Sequence, residues 1–285
     1  MSITNLTIPL PNESLVTATA YVLPVTTPQT SQFPGIILCA GGSFKHLSQR
    51  ENTLAALAFH SRGFNVYSLN YSLLLPETES LYPKPLHELA STVAFIRTNA
   101  KKFNQDPNAI ITLGFSAGGH IVSALAGTWS TVKLASELAL SSESIQPNAQ
   151  ILAYPLTDLT SFFTDKSVGI NHITAVPELI NTQKLVNAKT PPTFIWSSYT
   201  DTAVPLSNTL GYINQLAKNK ISFESHIFSS GIHGTVLANS LTARPEKGAS
   251  DINPHVATWV DLAIEWILSQ FDVQKTSTSS FMPSK

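Results

Sequence analysis

The chain has 285 residues, and its 17 Lys+Arg against 18 Asp+Glu leave a formal net charge of −1. That balance supplies no electrostatic footprint for nucleic acid or an anionic membrane surface. Hydrophobic residues make up 43%, enough for a sizeable core, while charged residues reach only 12% against roughly 25% in an average globular protein. The surface therefore has to be built largely from Ser, Thr, Asn and Gln.

Cys39 is the single cysteine, which excludes an intrachain disulfide and a cysteine-based zinc site. No window approaches the roughly 18 unbroken apolar residues of a membrane span. Residues 1–10 lack the basic start, apolar stretch and small-residue cleavage site of a secretory leader, so a soluble, cytoplasmic protein is expected.

Residues 3–8 and 15–22 alternate apolar and polar side chains around a Pro-Leu-Pro-Asn turn and predict a pair of antiparallel edge strands. A polar linker rich in Thr, Gln and Pro follows over 24–34. Residues 35–40 (GIILCA) form a continuous apolar run of the kind buried on both faces of a parallel sheet. Strands and helices then alternate. A helix over 48–61 stops at Gly63, a strand covers 65–71, and a helix over 86–103 places Leu89, Val93 and Ile96 on one face. Residues 109–115 form a strand that runs straight into a helix of small residues beginning near Ala117. Further strands are expected at 150–154, 193–197 and 222–228, with helices at 205–218 and 254–271.

This alternation predicts an α/β fold with a mainly parallel central sheet and helices on both faces, organised as one domain over 1–271. Residues 156–189 interrupt it, with a weak helix at 177–186, and read as a small lid-like excursion above the strand ends. The Ser/Thr-rich stretch 274–285 reads as a flexible C-terminal tail.

Gly114-Phe115-Ser116-Ala117-Gly118 fits G-x-S-x-G at a strand-to-helix junction. A sharp turn there lifts a serine oxygen above the sheet, and small flanking residues are needed because the turn crowds its neighbours. A serine hydroxyl is a poor nucleophile until an imidazole takes its proton, and the imidazole needs an acid to fix its tautomer. Those partners are expected on later strand-end loops, in the order serine, acid, histidine.

Of the eight histidines, His46, His60 and His87 precede Ser116, His172 lies in the excursion, His226 lies inside a strand and His255 opens a helix. His233, in a flexible Ser-Ser-Gly-Ile-His-Gly loop directly after the last strand, stands where the base belongs. Asp201 is the only acid in the loop after the 193–197 strand, and its distance along the chain from His233 accommodates one helix and one strand. Its rival, Asp158, follows the preceding strand and reads as a turn or cap former. Ala40-Gly41-Gly42-Ser43 follows the first buried strand, where glycines bring backbone amides close to a ligand. Gly42 and Ser43, together with Ala117 of the elbow, are the expected oxyanion donors.

Residues 34–72, the run Gly114 to His120 (GFSAGGH), residues 191–205 (PPTFIWSSYTDTAVP) and residues 231–234 (GIHG) resemble the bacterial α/β-hydrolase serine esterases, the carboxylesterases that include acetyl and acetyl-xylan esterases. The likeness extends over about 34–271. It implies the α/β-hydrolase fold and a triad at Ser116, Asp201 and His233, the same residues reached from order and spacing. Relatives usually carry His-Gly-Gly-Gly or Pro-Gly-Gly-Gly in the oxyanion loop, where this chain has Ala40 first and Ser43 last. Many also carry two acids before the Val-Pro pair, and here Thr200 stands in place of the first.

The expected activity is hydrolysis of short acyl esters through an acyl-enzyme, with an acetylated carbohydrate as one candidate substrate. Neither cofactor nor metal is implied, no nucleic acid or membrane partner is expected, and a homo-oligomer is left open. A lipase calls for a longer apolar lid than 156–189, and a peptidase for an extra domain. A non-catalytic binder on a hydrolase scaffold has no use for an imidazole opposite a serine.

Overall fold

The computed structural model describes residues 2–11, 14–25, 32–76, 79–162 and 168–271. The expected C-terminal tail and Phe163 of the excursion lie outside the described residues.

The chain opens with an antiparallel pair, β1 (Ser2–Pro9) and β2 (Leu15–Val22). It continues through β3 (Phe33–Cys39), a wide helical turn at Arg50–Leu54 leading into α1 (Ala55–His60), and β4 (Asn65–Asn70). Next come α2 (Lys84–Thr98), β5 (Gln105–Phe115), α3 (Ala117–Thr128), two short helices α4 (Val132–Leu138) and α5 (Ser142–Ile145), and β6 (Ala149–Ala153). After the excursion with α6 (Val168–Ile173) follow β7 (Thr193–Ser198), α7 (Ser207–Lys218), β8 (Phe223–Phe228), α8 (Pro254–Ala257) and α9 (Trp259–Gln270).

These strands form one eight-stranded sheet in the order β1-β2-β4-β3-β5-β6-β7-β8. β1, β2 and β4 pair antiparallel and every pairing from β4 across to β8 is parallel, as the strand-helix alternation predicts. One expectation needs correcting. Of that pair only β1 is an edge strand; β2 is covered on its far side by β4, because the register Thr17 to Tyr21 against Asn70 to Val66 continues the sheet.

The continuous apolar runs have the reason anticipated for them. Ile37 and Cys39 of β3 point into one core, with Leu89 of α2, Ile121 and Leu125 of α3 and Tyr212 of α7. Ile36 and Leu38 point into the other, with Phe59 of α1 and Trp259 and Ile267 of α9. A strand with helices on both faces has no solvated side on which a polar residue would be favoured. Cys39 is buried, and burial pushes its thiol pKa up.

The excursion is fastened down. The Leu81 and Tyr82 amides donate to the His172 and Ile173 carbonyls at 2.9 and 2.8 Å, and Asp158 pairs with Asn181. Ile170 and Ile173 are buried in the α2/α3 core, with Phe162 and Val176 packed against it. The expected helix over 177–186 is two single 3₁₀ turns, Pro177–Ile180 and Thr182–Leu185, the first opened by its proline and the second capped by Asn181. Among the described residues no helix is long and apolar enough to cross a membrane.

Below the excursion, His120 of α3 is fully buried, its Nδ1 2.7 Å from the Tyr82 hydroxyl. Burial holds its pKa down at about 4 against an ordinary 6.5. The unfolded chain therefore binds a proton between those values that the folded chain refuses, so stability present above pH 6.5 is lost as pH falls toward 4. The loss amounts to about 3 kcal/mol. Urea midpoints between pH 7 and pH 4.5 should fall more steeply for the wild type than for His120→Gln, and equal slopes would refute the assignment.

Candidate active site

After β3 the chain crosses to β4 on one side, and it then returns to place β5 on the other. In open α/β sheets, ligands bind outside the carboxyl ends of the strands where the order switches in this way. The loop 40–43 leaves β3 and the turn at Ser116 leaves β5 at that crevice.

Ser116 has φ 49° and ψ −118°, a strained turn between β5 and α3. Small neighbours permit it: a Cβ on Gly118 would lie 2.1 Å from the Cys39 carbonyl oxygen. The Ser116 amide donates to Ala153 O of β6 at 3.1 Å, which ties the elbow to the adjacent strand.

The structure brings the three sequence-predicted residues into one hydrogen-bonded line. His233 Nε2 lies 2.8 Å from Ser116 Oγ, and His233 Nδ1 lies 2.6 Å from Asp201 Oδ2. The Asp201 side chain is only 2% exposed and that of His233 20%, so the acid is sheltered while the imidazole still reaches the crevice. Asp201 Oδ1 accepts from the Ala203 and Val204 amides at 2.9 and 3.0 Å, which fixes the carboxylate's rotation. Asp158 stays apart and does what its loop position suggests: Oδ1 accepts from the Thr160 amide and hydroxyl, and Oδ2 from Asn181 Nδ2.

The loop around His233 is more firmly held than its Gly/Ser composition suggests. Arg244, hydrogen-bonded to buried Asp251 through Nε and Nη2, also donates to the His233 carbonyl at 2.8 Å. Arg50 Nη1 reaches Gly234 O and Thr242 O at 3.0 and 2.8 Å. Thr200, where relatives carry an acid, donates its hydroxyl to Gly231 O at 2.9 Å and accepts the Gly231 amide at 3.0 Å, pinning the loop two residues before His233.

In the loop after β3, where oxyanion donors are expected, Gly42, Ser43 and Phe44 have φ of 132°, 54° and 63°. Two of these left-handed residues carry side chains, so the loop is held by its surroundings rather than by local preference. Among the described residues the Gly42 and Ser43 amides donate no hydrogen bond. Ala117 opens α3, so its amide has no carbonyl one turn earlier in the helix to bond. Gly41 differs, since its amide donates to the buried Glu51 at 2.6 Å.

Glu51 and Tyr154 escape sequence reasoning. The Glu51 Oε1 accepts the Tyr154 hydroxyl at 2.9 Å, and the Tyr154 ring stands edge-to-face against the His233 imidazole with centroids 5.0 Å apart. Burial pushes the Glu51 carboxyl above its ordinary range, and the Tyr154 hydroxyl, the Gly41 amide, His233 and Arg50 pull it back. The one available signal was an Arg-Glu pair opening a helix, which reads as an ordinary solvated turn. Among the described residues no group of three or more His, Cys, Asp or Glu is placed to hold a metal.

Residues 23–216 match the family described as BD-FAE. The chain belongs to the BD-FAE family. It is 32% identical over 208 residues to endo-1,4-beta-xylanase B of Butyrivibrio fibrisolvens, covering 72% of this chain and 33% of that protein. It is also 27% identical over 217 residues to the acetylxylan esterase of Xylanibacter ruminicola, covering 73% and 42%. The chain thus spans between a third and about two fifths of the length of these curated relatives. Among solved structures, the carboxylesterase Cest-2923 of Lactobacillus plantarum superposes with a TM-score of 0.88 at 34% identity, over 95% of this chain and 98% of that one. An acetyl ester-xyloside bifunctional hydrolase of Caldicellulosiruptor lactoaceticus gives 0.74 at 30%, over 93% and 96%. The fold is the α/β-hydrolase fold, and the acetylxylan esterase and the carboxylesterase Cest-2923 to which the chain is similar are named as carboxylic ester hydrolases.

Proposed function

We propose that the chain is a serine carboxylesterase that hydrolyses short acyl esters, acetyl esters first among them, with Ser116 as nucleophile, His233 as base and Asp201 as the orienting acid. The observation that carries the reading is the unbroken line from Asp201 Oδ2 through both imidazole nitrogens to Ser116 Oγ. The names of the xylan-esterase relative and the bifunctional hydrolase favour an acetylated carbohydrate as the substrate.

The Asp201 carboxylate accepts from Nδ1–H, which leaves Nε2 to take the Ser116 proton as Oγ attacks the ester carbonyl. The carbonyl oxygen becomes an anion facing the Gly42, Ser43 and Ala117 amides. The C–O bond to the alcohol breaks as His233 returns the proton to it. Water then repeats the sequence on the acyl-Ser116 ester and releases the acid.

A small acyl group is favoured because the excursion's apolar residues are already used: Ile170 and Ile173 are in the core, with Phe162 and Val176 packed against it. They leave little free surface to sheath a long chain, which needs about 0.8 kcal/mol of burial per methylene to bind well. With nitrophenyl esters, kcat/KM should fall at least about tenfold between acyl chains of two to four carbons and ten. A profile flat or rising to ten carbons, measured below micelle-forming concentrations, would move the protein toward the lipases. Absence of turnover on every ester, with no labelling of Ser116 by an organophosphate, would favour a binding protein.

A further inference from the structure

We propose that Glu51 is a second positioning carboxylate of the site, holding the oxyanion loop through Gly41 and setting its negative charge behind the Tyr154 ring that faces His233. The inference rests on the hydrolase reading above and adds to it a residue outside the triad and the oxyanion donors.

Three loops meet at this side chain. Gly41 is pressed between Glu51 and the nucleophile, since a Cβ at position 41 would lie 2.9 Å from Glu51 Oε2 and 2.9 Å from Ser116 Cβ. Oε2 takes the Gly41 amide, which turns that peptide away from the crevice and leaves the next two amides as the ones available to a substrate oxygen. Oε1 takes the hydroxyl of Tyr154, a residue at φ 38° directly after β6. Two hydrogens aimed at the two oxygens suit a carboxylate; a neutral acid would have to turn its own proton into one of them. A buried carboxylate that served packing alone would be replaceable by a neutral side chain of the same shape without loss.

The charged and titratable groups around His233 are few. Asp201 faces Nδ1, Tyr154 presents its ring, Arg244 and its partner Asp251 hold the His233 carbonyl, and Arg50 holds the Gly234 carbonyl. Tyr71 lies on the oxyanion side, its hydroxyl on Ala40 O at 2.5 Å. Of these carboxylates, Asp251 is spent on Arg244, while Glu51 stands behind the Tyr154 ring that faces the imidazole.

The positive charge that His233 gains in the transition state is stabilised by a nearby negative one. Glu51→Gln should lower kcat about 10- to 100-fold with KM changed less than about threefold, and should move the acid limb of kcat/KM to lower pH by about half a unit or more. An E51Q enzyme whose acid limb does not move, or whose kcat is unchanged, overturns the proposal. A parallel loss of melting temperature and kcat with a fixed limb has the same force and assigns Glu51 to structure. Should E51Q not fold, Glu51→Asp decides: the charge remains and the limb stays, while the shorter side chain releases the Gly41 amide and kcat falls at least about fivefold; an unchanged kcat overturns the proposal. A wild type without esterase turnover counts against the hydrolase reading alone. The His233 imidazole titration, followed by NMR with and without E51Q and needing no substrate, then decides this inference.

Discussion

Ser116→Ala should lower kcat on a short-chain ester by a factor of about 10⁶ while the protein stays folded. The fold is expected to survive because the strain lies in the backbone. At φ 49° alanine and serine pay the same steric penalty, and what holds the turn is Gly118 against the Cys39 carbonyl and the Ser116 amide on Ala153 O. The loss is expected to be large because Oγ is the only atom of the residue that reaches the imidazole, at 2.8 Å from Nε2. Residual turnover above water is still expected, since the Gly42, Ser43 and Ala117 amides and the binding crevice remain. Circular dichroism and melting temperature close to wild type, with turnover lost and organophosphate labelling abolished, is the expected pattern. Turnover like wild type in a folded S116A protein would remove the serine mechanism altogether.

The sheet and the three residues of the line were legible in the sequence because each depends on local chemistry. GIILCA reads as a strand covered on both faces, G-x-S-x-G at a strand end needs its glycines because an added Cβ would lie 2.5 Å from the Gly118 oxygen at position 114 and 2.1 Å from the Cys39 oxygen at position 118, and a histidine in the loop after the last strand has few other partners. What could not be read is what depends on contacts between distant segments. β2 looks like an edge strand because its alternation is that of a half-exposed ribbon, and only the pairing with β4 shows otherwise. The His233 loop reads as flexible from its glycine and serines, yet Arg50 and Arg244 reach it from other segments. For Glu51 the Arg-Glu pair points to neither of its partners, because Gly41 and Tyr154 are not related to it by any local spacing.

Asp201→Asn should lower kcat by roughly 10⁴, and Asp158→Asn should leave it within about twofold. The two backbone amides at Asp201 make the first effect specific. Ala203 N–H and Val204 N–H both donate to Oδ1, so an asparagine keeps its carbonyl oxygen there and turns its NH₂ toward His233 Nδ1. That nitrogen must then accept, which moves the imidazole proton to Nε2, the position that has to be empty to receive the Ser116 proton. The enzyme would be folded, with its serine facing a donor in place of a base. Asp158 presents the opposite case. Its asparagine keeps the Oδ1 bonds from Thr160 and loses only the bond from Asn181, a stability cost of about 1 kcal/mol at a turn that does not touch the imidazole. Steady-state kcat and urea midpoints of the two variants separate these outcomes. If D158N lost activity and D201N kept it, the acid of the line would have been misassigned, and the 2.6 Å contact between Asp201 and His233 would have to be structural.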